Sequence, residues 1–344
     1  MRKLTRLLAL LLVLLLPGCR GKILPDDTAT TAGPVSSGLT VHFIDVGQAD
    51  CVLLECGGEY MLIDGGNAED GSVLVAYLQA QGVEELEAVV CSHAHEDHVG
   101  GLAAALAVYP AGAVYAPTRT YSSGCFDDFL YYVNQQRLTV NIPQPGTSWM
   151  LGACRITVLG PVKSYADTNN TSIVLRADYG TTGFLFTGDM EVDAEIDLLD
   201  AGAEVRADVL KVGHHGSNTS TGYRFLYEVD PAYGVISVGR DNSYGHPHDE
   251  PMSRLQDAGV TVYRTDLMGT VVVHSDGETL TFTTETGVYP DAAPAARQFI
   301  GNRNSKKFHL PTCSGLPAEK NQVFFDSYSE ALAQGYSPCG SCLE

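Results

Sequence analysis

Cations are scarce in this chain: 21 Lys and Arg stand against 41 Asp and Glu in 344 residues, a formal charge of −20. Such a surface repels nucleic acid and anionic lipid unless one basic patch overrides the mean field. Long apolar runs are missing too. The longest, residues 7–16, has ten residues, too few to cross a bilayer as a helix, so no transmembrane channel is expected in this chain. No internal repeat is visible, which argues against solenoids and propellers. What is present is globular material, with 44% hydrophobic residues, 18% charged residues and 36 glycines. Those proportions exclude a disordered chain, a collagen and a coiled coil. The length suits two or so folded units.

The N-terminus reads as a targeting segment. Arg2, Lys3 and Arg6 precede the apolar run, which ends in Leu16-Pro17-Gly18-Cys19. This resembles a bacterial lipobox, with Cys19 the lipidated first residue of the mature protein. The expectation is export and a lipid anchor on the outer face of the bacterial cytoplasmic membrane, with secretion the alternative. Residues 1–19 would be the lipoprotein signal peptide. Residues 20–38, rich in Thr, Gly, Pro, Ser and Asp, would be the tether. A second linker at 289–298 separates a main domain, 39–288, from a tail, 299–344.

Short apolar runs punctuated by glycine predict strands at 39–46, 51–56, 60–63 and 88–91, with helices at 72–80 and 101–108. Later strands are expected at 155–159, 172–177, 183–187, 208–212, 234–238, 261–263, 270–274 and 279–283. Helices are expected near 126–136, 191–200, 222–228 and 249–258. Strands come first and then alternate with helices, the signature of an α/β layered domain.

The chemistry concentrates in Ser92-His93-Ala94-His95-Glu96-Asp97-His98-Val99-Gly100-Gly101, between a strand and a helix. Three imidazoles and a carboxylate within six residues suit zinc, manganese or iron. Alternation sets His93 and His95 on one side of an extended loop, while Asp97 and His98 begin the turn and can face a second ion. Further ligand types end other apolar runs: Asp189 after Phe184–Thr187, His214 and His215 after Val209–Val212, and His246 with Pro247 after Val235–Val238. Strand ends and loops are where such a scaffold carries its reacting groups.

These residues, with Val41-His42-Phe43-Ile44-Asp45-Val46-Gly47-Gln48-Ala49-Asp50, Leu62-Ile63-Asp64-Gly65-Gly66, Thr187-Gly188-Asp189, Leu210–Ser217 and Tyr244-Gly245-His246-Pro247, resemble the metallo-β-lactamase-fold domain of the ComEC/Rec2 competence family. The resemblance implies a four-layer αββα sandwich with two divalent metals, zinc or manganese, at one edge. His93 and His95 would bind the first metal, Asp97 and His98 the second, and Asp189 would bridge them. Many relatives place a further histidine before the bridging aspartate, where this chain carries Asn169-Asn170-Thr171-Ser172. His214 or His215 would fill that place, and His246 would be the last imidazole on the second metal. Asp45 and Asp64 would orient ligands or form turns. Lys211 or His215 would contact a phosphate oxygen or protonate the leaving group.

In the tail, His309, Cys313, Cys339 and Cys342 have the spacing H-x3-C-x25-C-x2-C. So short a segment builds little core, and a Cys3His set reads as one structural zinc. It resembles the zinc-binding domain of the DNA-repair protein Ada, with histidine in place of the first cysteine, so methyl transfer is not carried over. Arg303, Lys306, Lys307 and Lys320 make the tail locally more basic than the main domain. Of the other cysteines, Cys51 and Cys91 lie in apolar runs where buried thiols are expected. Cys56, Cys125 and Cys154 show no framework spacing.

Two metals held close together generate a bridging hydroxide nucleophile and stabilise charge on the leaving oxygen. The leading reading is therefore a membrane-tethered extracytoplasmic phosphodiesterase or nuclease, with Asp97, His215 and Lys211 as its reacting groups and DNA as substrate. The alternative is hydrolysis of a small or cell-wall ester, lactone or phosphodiester. A noncatalytic surface binding module ranks third, because a structural zinc needs only four closed ligands.

Overall fold

The computed structural model describes residues 38–290, 298–326 and 328–343. The expected signal peptide, Cys19 and most of both linkers lie outside the described residues. Among the described residues no helix is long and apolar enough to cross a membrane.

Two sheets form the middle of the main domain. The first draws on β1 (Leu39–Phe43), β2 (Val52–Cys56), β3 (Glu59–Ile63), β4 (Leu86–Val90), β5 (Ala111–Tyr115) and β6 (Val140–Asn141). The chain then crosses to β7 (Ser148–Leu151), β8 (Cys154–Gly160), β9 (Val174–Tyr179), β10 (Thr182–Phe186), β11 (Val209–Lys211), β12 (Tyr233–Ile236) and β13 (Thr261–Arg264). It returns as β14 (Val271–Ser275) and β15 (Leu280–Thr284). The first sheet runs β15-β14-β1-β2-β3-β4-β5-β6 and the second β13-β12-β11-β10-β9-β8-β7.

Alternation along the strands sorts the cores. Val52, Leu54 and Cys56 of β2 and Cys154, Ile156 and Val158 of β8 share the core between the sheets. Leu53 faces the opposite way, into the core beneath α1 (Gly71–Ala80), α2 (Glu96–Val99), α3 (Leu102–Val108) and α4 (Gly124–Gln135). Leu185, Leu210 and Ile236 face the third core, with Leu198, Leu226 and Leu255 of α5 (Val192–Asp200), α6 (Tyr223–Val229) and α7 (Asp249–Asp257). Helix, sheet, sheet and helix follow one another, giving the αββα sandwich. Strands covered on both faces lose polar alternation, which is why β2 and β10 are buried throughout.

The sequence pattern finds the long elements to within a few residues. It misses β5, β6 and β7, which are short, partly exposed and carry little apolar alternation. The expected strand 39–46 stops at Phe43, because Asp45 Oδ1 accepts the Gly47 N–H at 3.1 Å and turns the chain. Helix α4 begins earlier than predicted, capped by Ser123 Oγ accepting the Phe126 N–H at 3.2 Å.

The tail forms a four-stranded sheet of β16 (Phe299–Asn302), β17 (Lys307–His309), β18 (Gln322–Phe325) and β19 (Ser337–Pro338), ordered β18-β16-β17-β19. The helix Tyr328–Ala333 packs on it. Its core joins Phe299, Phe308, Leu310, Phe325 and Tyr328. Tyr227 of α6 stacks on Tyr328 at 5.0 Å and meets Phe299 edge-on at 4.9 Å, so this core is continued by the main domain.

Candidate metal centre

The strands from β3 to β6 are parallel, as are those from β10 to β13. Loops after β4, β10, β11 and β12 supply the candidate ligands, the usual position for a site on parallel strands. Close packing fixes the His93–His98 loop. A Cβ on Gly101 would strike the Gly65 carbonyl oxygen, so this glycine lets the helix after the cluster lie against the Asp64-Gly65-Gly66 turn.

Asp189 is the centre of the arrangement. Its Oδ2 lies 3.9 Å from His93 Nε2 and 3.6 Å from His214 Nε2, and His93 Nε2 is 3.0 Å from His95 Nδ1. Its Oδ1 lies 3.2 Å from His98 Nε2 and 3.6 Å from His215 Nε2. Asp97 Oδ2 completes that side, 3.3 Å from His215 Nε2 and 3.9 Å from His98 Nε2. Donor atoms of Asp97, His98, Asp189 and His215 all lie within 4.8 Å of one another. The geometry therefore gives one compact donor set, Asp97, His98 and His215 with Asp189, and a looser second set in which His93 and His214 approach the other Asp189 oxygen and His95 lies against His93.

Unpaired atoms test whether these residues fit metal. His98 Nε2, Asp189 Oδ1 and His215 Nε2 are buried and have no hydrogen-bond partner. Buried polar atoms are nearly always paired, and three converging on one space suit a cation that takes nitrogen and oxygen donors. His214 and His215 both adopt left-handed backbone, φ 48° and 53°. Such strain in consecutive non-glycine residues costs on the order of 1–3 kcal/mol each and clusters at functional sites.

A buried polar layer aims the imidazoles. Asp64, itself at φ 59°, accepts the Ser92 N–H at 2.7 Å and holds His98 Nδ1 at 2.8 Å. His215 Nδ1 lies 2.9 Å from the Ser237 carbonyl oxygen and 3.3 Å from Asp50 Oδ1. Ser92 Oγ lies 3.2 Å from His93 Nδ1, and Ser172 Oγ accepts the Asp189 N–H at 3.1 Å. The contacts at Nδ1 of His98 and His215 leave their Nε2 atoms free for an ion.

Burial opposes charge on all these groups, yet proximity prevails in several. Asp189, Asp64 and Asp97 outweigh burial to hold His98 well above the usual imidazole value. Asp189 and Asp50 likewise lift His215 to about 10. His98 and His215 hold Asp189 well below the carboxylate range against burial. His93 goes the other way, pushed well down by burial and by His98. Protons and metal compete for these nitrogens, so metal affinity falls with pH.

Two expected residues stand elsewhere. His246 lies outside both donor sets, its ring 5.6 Å from His214 and 6.4 Å from His215, with Nδ1 3.4 Å from Gln48 Nε2. His215 occupies the place beside Asp97 instead. Lys211 does not reach the open side. It is 1% exposed, and its Nζ pairs with Asp50 Oδ2 at 2.9 Å and donates to the Val212 carbonyl at 2.9 Å. A lysine at the end of an inner strand is internal, and that removes it from phosphate contact. The sequence pattern does not single out Asp50, Ser92 or Ser172 as site residues, although Asp50 ends the Val41–Asp50 segment and Ser92 precedes His93.

In the tail, the donor atoms of His309, Cys313, Cys339 and Cys342 lie within 4.8 Å of one another. His309 Nδ1 is 3.4 Å from Cys313 Sγ. Against burial, the Ser341 N–H and the neighbouring thiols Cys342 and Cys313 hold Cys339 below the usual thiol value, while burial with Cys313 and Cys339 pushes Cys342 up to about 12.

An αββα sandwich with paired donor sets sharing one carboxylate at the sheet edge defines a metal-dependent hydrolase scaffold. Residues 44–240 match the Metallo-beta-lactamase superfamily, and the chain belongs to that superfamily. Residues 286–344 match the Metal binding domain of Ada, making the tail an Ada-like zinc-binding domain. Among curated relatives, "ComE operon protein 3" of Bacillus subtilis is 30% identical over 74% of this chain and 35% of its own length. "Competence protein ComA" of Neisseria gonorrhoeae is 33% identical over 65% of this chain and 30% of its own. "Recombination protein 2" of Haemophilus influenzae is 32% identical over 68% of this chain and 28% of its own. The chain thus spans about a third of the length of these relatives.

Proposed function

We propose that this metal-dependent hydrolase is a phosphodiesterase acting on DNA, working outside the cytoplasm on a lipid tether at Cys19. The observation that carries the reading is the pair of donor sets about Asp189, open on the side of His95, Asp97 and His214. Divalent metals in such a pair supply Lewis acidity and lower the pKa of water between them. His93, His95 and His214 would hold one ion, and Asp97, His98 and His215 the other. Asp64 and Asp50 fix the rings of His98 and His215 so that both Nε2 atoms face inward. His246, held near neutrality of charge because burial and the facing His215 and His214 depress it to about 4, lines the mouth without charge. The competence-named relatives favour a nucleic acid over other phosphodiesters.

The acidic balance favours a second reading, a small or cell-wall ester or phosphodiester. Glu191 stands 3.3 Å from His214 Nδ1 at the mouth, where it would repel a polyanion. One assay separates the readings. Purified protein lacking residues 1–18 is incubated with single- and double-stranded DNA and, separately, bis-p-nitrophenyl phosphate, with Mn²⁺ or Zn²⁺ and a D97A/H98A control. Cleavage of DNA lost in the control supports the nuclease; cleavage of the small diester alone supports the second reading. Loss of neither activity in the control overturns the site.

A further inference from the structure

Cys56 and Cys154 end facing inner rows of the two sheets. Val52, Leu54 and Cys56 form one row and Cys154, Ile156 and Val158 the other, all in the core between the sheets. The turn joining β7 to β8 packs on the end of β2. A Cβ on Gly152 would lie 3.2 Å from Cys56 Sγ and would strike the Cys56 carbonyl oxygen. Burial lifts the Cys56 thiol, and the N–H groups of Ala153 and Cys154 beside it oppose that shift. Both residues are 2% exposed or less, and both are thiols in the structure. The other described cysteines are placed differently: Cys51 and Cys91 sit in the core under α1 and α3, Cys125 packs partly buried against that same core, and three belong to the zinc set.

From this juxtaposition we propose that Cys56 and Cys154 form an inter-sheet disulfide when the chain meets an oxidising thiol–disulfide environment. The oxidant is a small or protein disulfide. The thiolate of one cysteine attacks it, forming a mixed disulfide and releasing one thiol. The second cysteine then attacks the mixed disulfide, the protein S–S bond forms and a second thiol leaves. The two protein thiols lose two electrons and two protons, and the oxidant takes them up. The bond would staple the two halves of the sandwich across a loop of roughly 100 residues, where cross-linking most restricts the unfolded chain. Both thiols are buried, so exchange would need the β7–β8 turn to open; burial and the neighbouring Cys56 push the Cys154 thiol up to about 12.

The test incubates the native full chain for a day in mixed reduced and oxidised glutathione, quenches with acid, unfolds it with an alkylating agent and maps the peptides. The expected result is a Cys56–Cys154 linked pair, two mass units lighter than the thiols, with neither residue alkylated. The thermal midpoint of the oxidised chain should exceed that of the reduced chain by several degrees, and C154S should abolish that difference and leave Cys56 alkylated. Should C154S fail to fold, the map of the unsubstituted chain decides. Quantitative alkylation of both cysteines, or linkage of Cys56 to another cysteine, would overturn the proposal.

Discussion

The two metal-binding regions are built on opposite principles. In the hydrolase, three cores hold the strand ends, and the candidate ligands project from loops that the sheets have already positioned. In the tail, eight buried side chains make the core, and His309, Cys313, Cys339 and Cys342 join the end of β17 to the chain's last turn. The first scaffold organises its metals; the second is organised by its metal. The same contrast separates an open site, with Asp97 and His214 partly exposed at its mouth, from a closed four-donor set.

The sharpest way to break the comparison is to remove one tail ligand. C339S should lose the tail's zinc and unfold residues 299–343, since zinc supplies about 10–16 kcal/mol to such modules. Limited proteolysis should then trim the tail and leave the sandwich intact; a stable tail would refute metal-dependent folding there. Next in size, D189A should empty both hydrolase sites and cut activity about 10³-fold or more, because several kcal/mol of charge stabilisation vanish. Circular dichroism should scarcely change, as Asp189 lies in the turn after a strand already packed on both faces.

Packing gives the third effect. G101A places a methyl group against the Gly65 carbonyl and should cost about 1–3 kcal/mol, read as a lower denaturation midpoint. A fourth concerns orientation: D64N keeps the size of the group that holds His98 and should weaken metal at that set about 10–100-fold. Equal loss at both sets would contradict the separate donor sets.

The smallest predicted effect is a slope with pH. Burial lifts the Glu195 carboxyl to about 7, although the N–H groups of Gly222 and Thr221 and the charge of Arg254 oppose it. A carboxyl raised on folding holds its proton more tightly in the folded chain. Its contribution to stability is therefore full below 4.5, falls as pH rises to about 7 and is lost above that. The change is at most about 3 kcal/mol, and E195Q should flatten the pH profile of the denaturation midpoint.

Much of this architecture is legible in the sequence because buried runs and strand-end ligands leave local signals. The runs before His93, Asp189 and His214 mark inner strands, and the tail's ligand spacing marks a metal module. What is illegible is decided across the fold. The sequence pattern assigns His246 to the second metal, and only the left-handed turn at His214–His215 sets His215 beside Asp97 instead. Lys211 looks available until Asp50, far away in sequence, is found paired to it. Strand β5 escapes notice because its half-exposed residues lack alternation.

Metal stoichiometry tests the central claim most directly. Elemental analysis of the full chain, loaded with zinc and freed of excess, should give three ions per chain, two after C339S and one after D189A. One ion in the unsubstituted chain, or two remaining after D189A, would contradict a dinuclear centre shared through Asp189.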